Sequence, residues 1–384
     1  MHQIEQSLSE RLAQRQSAGL LRSLEQIPAS AVDFCSNDYL GLARCAERFP
    51  LSPEAAAGAT GSRLISGNSP SAEKLENRLA AFHQAESGLL FNSGYDANLG
   101  IWSAIASSED TIITDALVHA SIIDGVRLSK ARRMIFRHND LAHLELLLQK
   151  AEGNIFIGTE SVFSMDGDTA PLADLCQLAQ RYNAAIVVDE AHSNGILGPQ
   201  GQGLVVAKGL EQAVFARVQT FGKALGRHGA IVLGSKTLKQ YLLNFARSFV
   251  FTTALPPQSI QAIDQAYDLM QAADNERSQL ICNVNAFVSM RKRSPWAWLN
   301  SESWIQSVII PGNHRVRLVA ERLKSAGFAV KAIVSPTVAS GSERIRICLH
   351  SYNSLDQMEA LMNQLEDLYQ ELCRDTSSPV LAQR

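Results

Sequence analysis

Long apolar runs are missing from this 384-residue chain. A membrane-spanning helix, which takes about 20 consecutive apolar residues, is therefore not expected. An excess of basic charge is missing too: Lys and Arg total 35 against 38 Asp and Glu, a formal net charge of −3. That balance argues against a nucleic-acid partner, whose footprint is clustered Lys and Arg. The six cysteines, at 35, 45, 176, 282, 348 and 373, include no CxxC pair and no His at zinc-finger spacing. Neither a disulfide framework nor a structural zinc is expected, and free thiols in a reducing compartment are. The opening stretch MHQIEQSLSERLAQRQ is too polar for the core of a secretory signal, so the expectation is a cytoplasmic protein with no membrane partner. Low-complexity blocks, internal repeats and long Pro/Gly/Ser linkers are also absent. What remains, 46% hydrophobic and 19% charged residues, is an ordinary globular balance able to bury a large core.

In the middle of the chain, short apolar strands alternate with helical stretches. Strands are predicted at Ser87–Phe91, Thr111–Thr114, Arg133–Phe136, Asn154–Thr159, Ala184–Asp189, Phe215–Thr220 and Ala230–Leu233. Several are near-continuous β-branched or aliphatic runs, as in strands buried on both faces of a parallel sheet. Helical patterns lie between them, at Ala97–Ala106 and Leu172–Tyr182 among others. This alternation predicts an α/β fold with a mostly parallel central sheet. Residues 1–24 read as an amphipathic helix carrying Leu8, Leu12, Leu20 and Leu21. The last part alternates helix and strand and closes with a helix over Ser354–Cys373, its Met358, Leu361, Leu365 and Leu368 on one face. Three segments are expected: 1–45, an N-terminal helix and connector; 46–274, a large domain; and 275–384, a small α+β domain.

Open α/β sheets bind ligands outside the carboxyl ends of their strands. After Ser87–Phe91 comes Asn92-Ser93-Gly94-Tyr95 and a helix start, where backbone N–H groups can hold a phosphate; an ordinary βα turn reads the same way. His119 follows the Thr111–Thr114 strand, and a lone His there is commonly just packed. Glu160 to Asp168 is a polar cluster containing Ser164, either a site or a loop of Asx turns. Asp189 ends an apolar strand, where a carboxylate is costly unless a cation or donor meets it. His192 follows three residues later. Thr220 then precedes Phe221-Gly222-Lys223.

Two chemistries compete for this set. VVDEAH looks like the acidic strand of a nucleotide hydrolase, but that chemistry needs an upstream GxxxxGK[ST] phosphate loop, which the sequence lacks. Pyridoxal phosphate chemistry uses every piece. It needs a lysine for a Schiff base, an acid for the pyridinium nitrogen and a phosphate cup. Lys223, Asp189 and the group Gly94, Tyr95 and Thr220 can supply these, with His119 stacked on the ring and His192 at the phenolic oxygen.

With these residues in view, the sequence resembles the α-oxoamine synthases, fold-type I pyridoxal-phosphate enzymes. The matching stretches are FCSNDYLGL (34–42), GSRLISGN (61–68), FNSGYDAN (91–98), DALVHASI (115–122), ESVFSMDGD (160–168), VVDEAHSNGILG (187–198) and TFGKALG (220–226). The resemblance implies the aminotransferase-like fold, a large domain with a mostly parallel sheet and a smaller α+β C-terminal domain. It implies pyridoxal 5′-phosphate as cofactor and no metal. By the same resemblance Lys223 carries the Schiff base and moves the Cα proton, Asp189 and His192 hold the ring, and His119 stacks on it. Ser164 touches the cofactor, while Gly94, Tyr95 and Thr220 bind its phosphate. Arg346 and Asn37 receive the amino-acid carboxylate; Arg22 and Thr337, with His119, meet substrate.

The implied reaction is decarboxylative condensation of L-alanine with pimeloyl-CoA or a pimeloyl-acyl carrier protein, giving 8-amino-7-oxononanoate, CO2 and free thiol in biotin biosynthesis. It is implied to occur in a homodimer whose active site lies at the interface, with Thr252-Thr253 reaching the neighbouring site. A sister activity with glycine or serine, of the 2-amino-3-ketobutyrate ligase, 5-aminolevulinate synthase or serine palmitoyltransferase kind, is the nearest alternative. A non-catalytic cofactor-binding protein on the same fold is a third. Cys35 and Cys348 are expected as packed thiols, and Arg291-Lys292-Arg293 as a solvated face.

Overall fold

The computed structural model describes residues 3–45 and 58–376. Met1, His2, the 46–57 stretch where the large domain was expected to begin, and 377–384 lie outside the described residues. In chain order the strands are β1 (Val32–Asp33), β2 (Ser87–Phe91), β3 (Thr111–Asp115), β4 (Arg132–Phe136), β5 (Ile155–Glu160) and β6 (Ala185–Asp189). They continue as β7 (Ala216–Thr220), β8 (Ala230–Gly234), β9 (Ala297–Trp298), β10 (Ile305–Ile309), β11 (Phe328–Ala329), β12 (Lys331–Ile333) and β13 (Arg344–Cys348).

The chain forms two compact units. The larger runs Asn37–Cys282 with His350–Tyr352. It holds a seven-stranded sheet in the order β2-β8-β7-β6-β5-β3-β4. Only β8 runs antiparallel to its neighbours β2 and β7; the other pairs are parallel. Side chains alternate between two apolar clusters, one for each face. Ile186 and Val188 pack with Ile113, Ile157, Leu172 and Leu175, whereas Val187 packs with Leu89, Ile112, Trp102, Val218 and Val232. Both faces of the central strands are covered, so a strand such as β6 reads as a continuous apolar run rather than an alternating one. Register then places Glu160 beside Asp189 on adjacent parallel strands. The carboxyl ends of β3, β5, β6 and β7 therefore share one edge.

The second unit comprises Asn283–Leu349 and the described residues before Asn37 and after Tyr352. Its four-stranded antiparallel sheet has the order β12-β13-β10-β9, and β1 pairs with β11 beside it in sequence as a separate ribbon. The final helix, Leu355–Thr376, buries Met358, Leu361, Leu365 and Leu368 as its spacing predicts.

Two expectations need correction. The N-terminal helix covers only Gln3–Ser17, and none of its residues is buried. Gly19, at φ +65°, ends it: Gly19 N–H bonds Gln16 C=O and Leu20 N–H bonds Arg15 C=O, the paired bonds of a left-handed helix stop. Leu20 and Leu21 thus fall beyond the helix instead of extending an apolar stripe. The basic run is not uniformly solvated either. Arg291 is buried and donates to Leu299 C=O at 2.8 Å and Gln306 Oε1 at 2.7 Å, while Lys292 and Arg293 face solvent.

Candidate active site

At the carboxyl edge of the larger unit's sheet lies a pocket of about 280 Å³. Among its lining residues are Asn37, Gly94, Tyr95, His119, Asp189, His192, Thr220 and Lys223. Of the residues proposed from sequence, these eight share one cavity although the chain spreads them over nearly 190 positions. Ser164 is half-buried in the loop after β5 and is not part of that lining. The remaining three belong to the other unit. Arg346 is buried in the middle of β13, between Ser307 of β10 and Lys331 of β12. Arg22 and Thr337 line a cavity of about 410 Å³ in that unit, together with Arg15, Arg317, Lys324 and Lys331.

The pocket begins with the turn between β2 and the helix Gly94–Ala104. Ser93 caps that helix, its hydroxyl accepting from Asp96 N–H at 3.0 Å. The first-turn N–H groups have no acceptor within the helix and suit an anion. Residue 94 must be small: a Cβ there would lie 2.5 Å from the Thr220 methyl. Thr220 Oγ1 is buried without a hydrogen-bond partner in the same pocket. An unpartnered hydroxyl beside a helix start is the arrangement that a bound phosphate would complete.

On the pocket floor, Asp189 is oriented by two donors. Ala191 N–H bonds its Oδ1 at 2.9 Å and Asn98 Nδ2 bonds its Oδ2 at 2.7 Å. Asn98 also donates to Ser121 Oγ at 3.0 Å, so the Ser121 proton is directed to His119 Nδ1 at 2.8 Å. His119 Nδ1 additionally accepts from Ser121 N–H at 3.2 Å. A nitrogen accepting two bonds carries no proton, which makes His119 the neutral Nε2–H tautomer. Burial lowers its pKa, the Asp189 charge opposes this, and the Lys223 charge adds to the lowering. On the other side, Tyr39 gives its proton to Asn37 Oδ1 at 2.9 Å and therefore accepts from His192 Nδ1 at 2.8 Å. Glu160 binds His119 N–H at 2.6 Å, and burial with the nearby Asp189 charge raises its pKa against the pull of Lys223.

Asn98, Ser121, Tyr39 and Glu160 are the residues that sequence reasoning left without roles. Asn98 was within reach: it stands four positions after Gly94, on the same helix face. Tyr39 offered no such signal, because its partner His192 is 153 positions away.

Pyridoxal phosphate fits this donor set. An anion cradle, a buried oriented carboxylate and a lysine occur in one cavity, with an imidazole on the lining. Comparison with known proteins bears on the same reading. Residues 29–365 match the model of the class I and II aminotransferase family. The chain is 39% identical to the 8-amino-7-oxononanoate synthase of Emericella nidulans, covering 95% of this chain and 96% of that one. Among solved structures it superposes on the 8-amino-7-oxononanoate synthase of Francisella tularensis with TM-score 0.77 and 28% identity, over 91% of this chain and 100% of that one. A serine palmitoyltransferase from S. paucimobilis, holding pyridoxal phosphate as a myriocin adduct, shares the fold with TM-score 0.87 at 24% identity, over 96% and 98% of the two chains. The chain belongs to the class I and II aminotransferase family, and within it to the α-oxoamine synthases, pyridoxal-phosphate-dependent acyltransferases whose 8-amino-7-oxononanoate synthases are the relatives it matches.

Proposed function

We propose that this enzyme joins L-alanine to a pimeloyl thioester, releasing CO2 and free thiol and yielding 8-amino-7-oxononanoate for biotin synthesis. The observation that carries the proposal is the convergence of Lys223, Asp189, His119 and the Gly94–Tyr95 helix start on one cavity, in a chain about two-fifths identical to relatives named for that product. When bound, pyridoxal phosphate supplies an electron sink for the carbanion at the amino-acid Cα.

The protein's own groups do the rest. The Gly94 and Tyr95 N–H groups and the Thr220 hydroxyl bind phosphate. Asp189, held by Asn98 and Ala191, faces the ring nitrogen, and His192, braced by Tyr39, faces the phenolic oxygen. Lys223 holds the cofactor and, when its amine is released, takes the Cα proton as general base. His119, neutral and locked by Ser121, offers a flat face for stacking without adding a second positive charge. Ser164 also contacts the cofactor. The alanine Cα then bonds to the thioester carbon as the C–S bond breaks, and the thiolate takes a proton from solvent. CO2 leaves its bonding pair on Cα, and the proton held by Lys223 returns there.

Asn37 and Arg346 receive the alanine carboxylate, the guanidinium through a two-pronged contact. Arg22 and Thr337 receive the acyl substrate. Their cavity sets five basic side chains, Arg15, Arg22, Arg317, Lys324 and Lys331, against Glu25 and Glu321. That excess suits a thioester bearing a carboxylate and phosphates, whether carried by coenzyme A or by an acyl carrier protein. We place the enzyme in the cytoplasm as a homodimer with Thr252-Thr253 reaching the neighbouring site. Among the described residues, no helix is long and apolar enough to cross a membrane.

Visible spectra of the purified protein, titrated with L-alanine, glycine and L-serine and then pimeloyl-CoA, test this reading. A band change selective for L-alanine and a product of the expected mass support it. Selective response to serine or glycine would transfer the chain to a sister activity, and a protein that takes up no pyridoxal phosphate would end the cofactor reading.

A further inference from the structure

We infer that His138 is a positioning residue that, as an imidazolium bonded to two carboxylates, clamps together the loop leading to His119 and the loop carrying Ser164. This rests on the cofactor site described above and adds a residue that touches neither pocket nor ligand.

The geometry starts at the ends of two paired strands. Asp115 closes β3 opposite Phe136, which closes β4. The Asp115 carboxylate is buried and takes three bonds: Leu117 N–H at 2.8 Å and His138 Nδ1 at 2.9 Å on Oδ1, and Asn139 N–H at 2.9 Å on Oδ2. Through Leu117 it shapes the turn that leads to His119. The other ring nitrogen, His138 Nε2, meets Asp168 Oδ2 at 2.7 Å, and Asn139 Nδ2 bonds the same oxygen at 2.9 Å. Asp168 closes the loop that holds Ser164: Phe163 N–H bonds Asp168 C=O, Gly167 N–H bonds Phe163 C=O, and Val162 bridges Thr169. Phe163 sets its ring against the His138 imidazole, edge to face, with centroids 4.4 Å apart.

Each carboxylate accepts and neither donates, so both ring nitrogens carry protons and the ring is cationic. A neutral imidazole would leave one of these contacts lone pair against lone pair. Burial by itself lowers the pKa of His138, but the bonds and charges of Asp115 and Asp168 outweigh it and push it from 6.5 up to about 10. The charged neighbour Arg137 is engaged elsewhere, by Asp140. The sign of the linkage follows. Because the folded value lies above the ordinary one, the clamp is fully present below about pH 6.5 and is lost as pH rises through about 10. Such a clamp adds a polar tie between two loops whose buried Phe163 and Val118 belong to different apolar clusters, and small displacements at a bound group are felt strongly.

The experiment compares the full-length wild type with His138→Gln and His138→Arg, reading pyridoxal phosphate affinity by fluorescence quenching from pH 6 to 10. For His138→Gln we expect affinity about tenfold weaker at neutral pH, with the gap to wild type closing as pH approaches 10. His138→Arg, which can still bridge two carboxylates, should recover part of the loss. Affinity within twofold of wild type for His138→Gln across the range would overturn the inference. Should His138→Gln fail to fold, Asp168→Asn cuts only the loop side, and unchanged affinity there overturns it as well. A wild type that binds no pyridoxal phosphate would instead defeat the cofactor reading on which the clamp depends.

Discussion

The pocket of the larger unit gathers carboxylates, with Asp189 and Glu160 buried at neighbouring strand ends, and offers Lys223 and neutral His119 to meet them. The cavity of the smaller unit gathers cations, with Arg15, Arg22, Arg317, Lys324 and Lys331 around Glu25 and Glu321. In the first, every acid is oriented by short bonds from neighbouring residues, as expected where unpaired charge is expensive to bury. In the second, the Glu25 carboxyl is drawn below its usual range by a bond from Lys324, against the opposing effect of burial, and by the charges of Lys324, Lys331 and Arg317. Under the proposed function, the first region would hold the ring of pyridoxal phosphate and the second would receive the anionic groups of the acyl thioester.

Lys223→Ala should break the first region outright. Activity is expected to fall by at least about 10³-fold, since both covalent attachment and proton transfer are lost. Borohydride reduction followed by peptide mass analysis should find no pyridoxyl adduct at position 223; finding one elsewhere with activity retained would reassign the lysine. Asp189→Asn keeps the shape and removes the charge, and kcat/KM should drop by about 10²-fold. A finer probe is Asn98→Ala, which deprives Asp189 and Ser121 of one donor each. Leaving such groups short costs about 1–3 kcal/mol, so cofactor affinity should weaken by about tenfold or more in an equilibrium titration. Unchanged affinity would mean that the Ala191 N–H suffices to orient the acid.

The cationic cavity should respond differently. Arg22→Gln and Arg317→Gln are each expected to raise the KM for pimeloyl-CoA about fivefold with kcat nearly unchanged, the mark of binding lost equally in ground and transition states. Added salt should weaken wild-type binding more than that of either variant. If kcat falls instead, the cavity takes part in orienting the reacting carbon. The smallest effect is reserved for Leu8→Ser in the exposed N-terminal helix, where thermal stability should move by less than about 0.5 kcal/mol.

Much of the fold was legible because strand burial leaves a simple trace. AIVVD is apolar up to its last residue, and the parallel strands β3, β5, β6 and β7 each end on a polar residue, Asp115, Glu160, Asp189 and Thr220, at the same edge. The N-terminal leucines misled because spacing alone does not say whether a partner surface exists, and Gly19 stops the helix before Leu20 can join the stripe. Arg291 was misread for a related reason: two neighbouring charges made the run look solvated, while its acceptors, Leu299 C=O just after β9 and Gln306 Oε1 in β10, come later in the chain.

The sequence by itself disclosed the mostly parallel sheet and where its strands end, and it singled out the lysine, acid, imidazoles and glycine that line one pocket. These follow from local patterns, since burial on two faces and a turn at each strand end are properties of short segments. Only the tertiary structure decided how those groups are held. The Asn98–Asp189, Tyr39–His192 and His138–Asp168 bonds join residues 91, 153 and 30 positions apart. Hydrogen bonds act over about 3 Å, and no pattern along the chain reveals which distant side chains folding will bring within that reach.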